Sequence, residues 1–155
     1  MRIDRDRVLF ACDHCGSEQE AAAAAAYVEL LNETPSACPL CFAPLSACRL
    51  EGHSLLCCGR CFGMLIEMDC FAAVIDAMRA REERMFRIAL PRRQSPSERL
   101  INCPSCGQPM LGHVYAGPGN VVIDSCERCQ VNWLDSGELR RIAVAPDGLA
   151  PDGLA

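Results

Sequence analysis

Hydrophobic and polar positions sort the chain into short strands and two helical stretches. Leu45–Leu50 and His53–Cys57 read as the strands of a hairpin turning at Glu51-Gly52. Leu111–Ala116 and Val121–Ser125 read as a second hairpin, joined through Gly117-Pro118-Gly119-Asn120. Phe71, Val74, Ile75, Met78, Met85 and Phe86 recur near helical spacing and predict a helix from about Asp69 to Ala89, stopped by Pro91. A shorter helix is expected after Asp135, with Asp135 as N-cap and Glu138 completing a capping box. Near the N-terminus, Arg7–Ala11 reads as a strand. Ser17-Glu18-Gln19-Glu20 resembles a capping box, and an alanine run into Tyr27-Val28-Glu29-Leu30-Leu31 continues a helix that Thr34-Pro35 should end. Pro91 to about Arg99 has linker character, and the tandem repeat from Ala145 to Ala155 reads as a disordered tail.

Composition changes this picture in one respect. Half of the 155 residues are hydrophobic, yet only 5% are aromatic, so large core side chains are scarce. Small modules with a thin core are usually stapled by disulfides or metals. Thirteen cysteines supply the staples, and their odd number fits a disulfide framework poorly. Met1–Arg7 is charged with no apolar run after it, and no stretch reaches membrane-spanning length, so a cytoplasmic chain without membrane contact is expected. Thiols in that compartment stay reduced, which makes metal binding the default for paired cysteines.

The cysteines are duplicated. Cys38-Pro39-Leu40-Cys41 is echoed by Cys103-Pro104-Ser105-Cys106, and Cys58-Gly59-Arg60-Cys61 by Cys126-Glu127-Arg128-Cys129. Between knuckles lie 16 residues in the first copy and 19 in the second; the Gly-Pro-Gly turn accounts naturally for the difference. Aligning the second knuckles also pairs Leu65 with Trp133, Ile66 with Leu134, Glu67 with Asp135, Phe71 with Leu139 and Val74 with Ile142. Two CxxC turns flanking a hairpin bring four thiolates to one tetrahedral zinc ion. The expected ligands are Cys38, Cys41, Cys58 and Cys61 in the first copy and Cys103, Cys106, Cys126 and Cys129 in the second. Cys57 competes with Cys58, and the repeat alignment favours Cys58. A closed four-sulfur shell leaves no position for water, so both sites read as structural; iron–sulfur ligation is a variant that spacing does not separate.

With Cys103-Pro-x-Cys, Asp124-x-Cys126-x-x-Cys129 and Trp133-Leu134-Asp135-x-Gly137-Glu138-Leu139, residues 102–142 resemble the bacterial transcription-factor zinc-finger family, related to the zinc ribbon of transcription factor IIB. The family usually has glycine near Val131-Asn132, a departure here. The first copy keeps the cysteines but has Leu65-Ile66-Glu67 in place of the signature. The resemblance implies zinc binding by the matching cysteines and a regulatory or nucleic-acid-related role.

Other features admit two readings each. Cys12 and Cys15 form a third knuckle, either an unligated remnant or part of a third zinc site with some of Cys48, His53, Cys57 and Cys70. Strand, CxxC and helix in succession is also the pattern of a thioredoxin-like redox motif, which makes a thiol oxidoreductase or redox sensor acting through Cys12 and Cys15 the competing class. Arg79, Arg84 and Arg87 sit in an arginine-rich segment that either contacts phosphates or forms a solvated helix face. Trp133 either stacks a base or anchors its module beside the knuckle. His14, His53 and His113 read as ordinary polar residues.

The fold expected is a small α+β protein of two zinc-ribbon modules, each knuckle–hairpin–knuckle–helix, joined by a helix and linker. The expected segments are 1–34 (N-terminal strand–helix with CxxC), 35–90 (first module), 91–101 (linker), 102–144 (second module) and 145–155 (tail). The function expected is a non-enzymatic, zinc-stabilised interaction module associated with transcription. Its net charge of −5 favours a protein partner over nucleic acid.

Overall fold

The structure, a computed structural model, describes residues 28–82, 99–115 and 121–145, together with the backbone of three short strands nearer the N-terminus. Those strands, β1 (Arg2–Asp4), β2 (Leu9–Ala11) and β3 (Glu18–Glu20), form a small antiparallel sheet. The main body is one seven-stranded sheet of order β4-β5-β6-β7-β10-β9-β8. Its strands are β4 (Glu29–Ala37), β5 (Pro44–Leu50), β6 (His53–Cys58), β7 (Met64–Glu67), β8 (Leu111–Val114), β9 (Val122–Cys126) and β10 (Val131–Leu134). Two helices accompany it, α1 (Met68–Glu82) and α2 (Glu138–Val144).

Both hairpins form where the sequence places them. Glu51 and Gly52 both take positive φ, 48° and 85°, the pattern of the tight turn whose twist matches its flanking strands. The helix expected from Ser17 to Leu31 is corrected at both ends. Glu18–Glu20 is strand, and Glu29-Leu30-Leu31 belongs to β4 along the outer edge of β5, with Leu30 opposite Cys48 and Glu33 opposite Ser46. Pairing with an available sheet edge overrides the local helix preference there. Pro35 ends no helix; it sits in an outermost strand, a position proline tolerates.

The two repeats do not stand apart as beads. Their last strands, β7 and β10, pair antiparallel, and Leu65 lies directly opposite Trp133, its own repeat counterpart. Ile66 faces Asn132, and their counterparts Leu134 and Met64 face one another as well. A local two-fold axis therefore runs between Leu65 and Trp133, the geometry of an isologous dimer interface inside one chain.

Side chains alternate across the sheet and divide the interior into two clusters. On the helix side, Phe71, Val74, Ile75 and Met78 of α1 and Leu139, Ile142 and Ala143 of α2 pack with Cys48, Leu50, Cys57, Ile66, Ile123 and Leu134. On the other side, Leu45, Leu65, Ile101, Met110 and Trp133 pack with the cysteines of the knuckles. Consecutive residues split accordingly: Cys57 points to the helix side and Cys58 to the knuckle side.

Candidate metal centres

Each knuckle is a tight backbone loop. The N–H of Phe42 donates to the carbonyl of Cys38 (3.0 Å), Phe62 to Cys58 (3.0 Å) and Gly107 to Cys103 (2.8 Å). In the four described knuckles the residue after the second cysteine takes positive φ: Phe42 59°, Phe62 60°, Gly107 71° and Gln130 55°. Only Gly107 adopts that conformation freely; the other three are held there by the turn.

The four sulfurs of each set converge. In both the first set (Cys38, Cys41, Cys58, Cys61) and the second (Cys103, Cys106, Cys126, Cys129), all Sγ atoms lie within 4.8 Å of one another. Individual separations are 3.5 Å for Cys38–Cys61, 3.4 Å for Cys41–Cys58 and 3.7 Å for Cys106–Cys126. A zinc ion bound tetrahedrally at roughly 2.3 Å from each sulfur sets its ligands about 3.8 Å apart, so the sulfur cages fit it closely. Backbone donors face the sulfurs, as they face thiolates: Leu40 N–H lies 3.5 Å from Cys38 Sγ, and Arg60 and Cys61 N–H each 3.4 Å from Cys58 Sγ. The two groups are formed by the eight cysteines the spacing selects, and Cys58 rather than Cys57 joins the first of them.

Protonation within the cages is uneven. Burial pushes the Cys58 thiol up, but the N–H donors of Cys61 and Arg60 outweigh it and bring it down to about 7. A backbone donor from Gln108 lowers Cys106 to about 7. Burial raises Cys38, Cys61 and Cys103, and the bond to Cys106 raises Cys129 to about 12. Closely spaced sulfurs share protons when no cation neutralises them, which is the demand a divalent ion meets.

Trp133 is fully buried. Its ring lies over Gly63, where an added methyl carbon would fall 2.2 Å from Cζ2. The counterpart of Gly63 is Val131 and that of Trp133 is Leu65, so the large–small pairing is exchanged across the local axis. The indole N–H donates to Asp135 Oδ1 (3.1 Å), which also accepts from Arg99 (2.5 Å), and Arg99 lies 3.6 Å from Asp124. Burial raises the Asp124 carboxyl against the pull of Arg99. The tryptophan is thus an anchor, closed to base stacking. Asp135 is not the helix N-cap either. Gly137, with φ 82°, occupies that position, and Glu138 retains half of the capping box by accepting the Asp135 N–H (2.8 Å).

The sequence missed a disulfide. Cys48 and Cys57 are bonded across the β5–β6 hairpin, both buried. This corrects the expectation that the chain's thiols stay reduced, and it removes Cys48 and Cys57 from any third zinc site. Cys70 turns instead to the Glu67 carbonyl (3.4 Å). Among the described residues only the two four-cysteine groups are placed to hold a metal. Cys12, Cys15 and His14 lie outside the described residues, as do Arg84, Arg87 and the linker and tail over 91–98 and 146–155.

The sequence also missed a polar row in the second repeat. His113 Nε2 lies 2.7 Å from Ser125 Oγ, and Ser125 Oγ donates to Asn132 Oδ1 (2.6 Å). Aligning first knuckles places His113 on Cys48; aligning second knuckles places Ser125 on Cys57 and Asn132 on Met64. The disulfide and the His113–Ser125 bond therefore occupy the same diagonal of their hairpins, a signal the repeat alignment carried.

One comparison agrees with this geometry, in the second repeat. Residues 102–145 match the family model described as transcription factor zinc-finger, the TFIIB-type zinc ribbon. The match covers the second repeat alone, and the first half carries a second group of four cysteines placed to hold a metal. No curated protein and no solved structure matches the chain.

Proposed function

We propose that the chain is a non-enzymatic, transcription-associated interaction module whose shape is set by two structural zinc ions. One observation carries this reading: all four sulfurs of each cage converge on a single point, which leaves a bound zinc no open coordination position for water or substrate. Such an ion contributes folding energy, on the order of 10–16 kcal/mol in small zinc peptides. The acidic balance of the chain favours a protein partner over nucleic acid. No described helix is long and apolar enough to cross a membrane.

Elemental analysis of the purified chain tests the first part. Two zinc ions per chain are expected; none would overturn the reading, and three would bring the Cys12–Cys15 knuckle into a site. The choice of partner is tested separately. A salt-dependent association with DNA or RNA that disappears when Arg79, Arg84 and Arg87 are changed together would reverse the preference for protein.

A further inference from the structure

The two outer edges of the seven-stranded sheet are treated differently. On the first repeat, β5 is covered by β4, which carries Glu29, Glu33 and Pro35, residues that discourage further pairing. On the second repeat, the counterpart of β5 is β8, and among the described residues nothing pairs with its outer side. β8 reads Leu111-Gly112-His113-Val114, with no proline and no acid, lysine or arginine to block it. Leu111 and Val114 are 64% and 56% exposed. Natural edges are seldom left so bare without use.

A cleft of about 550 Å³ adjoins this edge on the helix side. Alternate residues of β8 and its continuation, Leu111, His113 and Tyr115, line it beside Phe71, Ser125 and Asn132. Phe71 and Tyr115 meet edge to face, ring centres 5.4 Å apart. In the first repeat the equivalent positions hold the disulfide and Leu50, buried in the core, and Val28, the residue ahead of the Glu29–Arg49 pair, packs against that core.

The structure assigns the outer edge of β8 and its cleft as a binding site for an extended polypeptide segment of a partner protein. The segment adds antiparallel to β8, in the place β4 takes on the first repeat. Main-chain hydrogen bonds to β8 hold it, and an apolar residue opposite Tyr115, in the role of Val28, enters the cleft above the His113–Ser125–Asn132 row. A second copy of the chain is the weaker occupant. Pairing two four-residue strands buries far less than the roughly 1,200 Å² of a stable interface and leaves the cleft unfilled. The inference rests on the protein-partner reading above and adds to it where the partner binds and in what conformation.

Decapeptides with the sequence of Val28–Ala37, their first residue varied among valine, leucine and phenylalanine, are the probe. They are titrated into the zinc-loaded full chain while backbone amide resonances are followed. Saturable binding below about 1 mM by at least one peptide is expected, with shifts centred on Leu111–Tyr115. Methylating alternate backbone nitrogens of the peptide should abolish binding, and Leu111→Glu, at an exposed position, should weaken it at least tenfold while two zinc ions remain bound. No binding by any peptide, shifts centred on β5, or concentration-dependent dimerisation lost in Leu111→Glu would each overturn the assignment. A zinc-loaded chain that ignores the peptides overturns the assignment alone; a chain without zinc overturns the module reading itself.

Discussion

The two repeats share a scaffold and differ in how it is finished. The first is sealed: β4 covers its edge, a disulfide crosses its hairpin, and Cys48, Leu50 and Cys57 are buried. The second is open: among the described residues nothing pairs with the outer side of β8, a hydrogen bond replaces the disulfide, and a cleft lies where the first repeat has core. What they keep in common is the sulfur cage and the strand that meets across the local axis. Duplication thus leaves one half free to diverge on its surface while the other half and the shared sheet maintain the fold.

The comparison is broken most severely by removing metal. Because the cages are equivalent, Cys38→Ser and Cys103→Ser should each lose one zinc ion and most of the cooperative thermal transition, since zinc contributes on the order of 10 kcal/mol per site. Elemental analysis and calorimetry check this, and a variant that keeps its melt after losing an ion would remove that cage from the fold's support. Acid should act in the same sense. Zinc binds thiolates, and Cys38 and Cys61 in one cage, Cys103 and Cys129 in the other, are raised and protonated at neutral pH. Binding expels at least these protons. Metal-linked stability is therefore present at high pH and lost as pH falls, with zinc affinity dropping about a hundredfold or more per unit below pH 8. Competition with a chelator of known affinity reads the slope.

Next in size is the exchange of large and small residues across the axis. Gly63→Val should drive a side chain into the Trp133 ring, since even a methyl carbon added there would lie 2.2 Å from it, and destabilise the chain by about 3 kcal/mol. Trp133→Leu alone should open a cavity and destabilise by a similar amount, about 2–4 kcal/mol. Combining the two reproduces the Val131–Leu65 solution of the opposite side and should recover at least half of the summed loss. Strict additivity in denaturant melts would mean that the two sites do not share one packing problem.

Much of this was legible beforehand because metal chemistry writes itself into spacing. The eight clustered cysteines, both hairpins and the helix starting near Asp69 follow from local patterns that no tertiary contact overrides. What escaped depends on contacts distant in sequence. Glu29–Leu31 is strand only because the edge of β5 accepts it. The joining of β7 to β10 leaves no mark in either strand alone. Asp135 looks like an N-cap until Arg99, far upstream, and Trp133 claim its carboxylate. The disulfide escapes because the reducing compartment expected for the chain weighs against it, although Cys48 and Cys57 lie diagonal to each other on neighbouring strands.

The smallest effect separates the two hairpins most directly. Closing a loop of this size stabilises by roughly 2–3 kcal/mol through the unfolded chain, so Cys48→Ala with Cys57→Ala should lower stability by about that much. On the matching diagonal, Ser125→Ala deletes one hydrogen bond to His113 and one to Asn132 beside an open cleft, where water can take the freed partners. Its effect should be about 1 kcal/mol, and reductant should not enlarge it. Denaturant melts of both variants, with and without reductant, test the contrast: reductant should bring the wild type down to the level of the double alanine variant and leave that variant unchanged. If Ser125→Ala proved as damaging as loss of the disulfide, the polar row would be a structural brace, and the second hairpin would be as closed to a partner as the first.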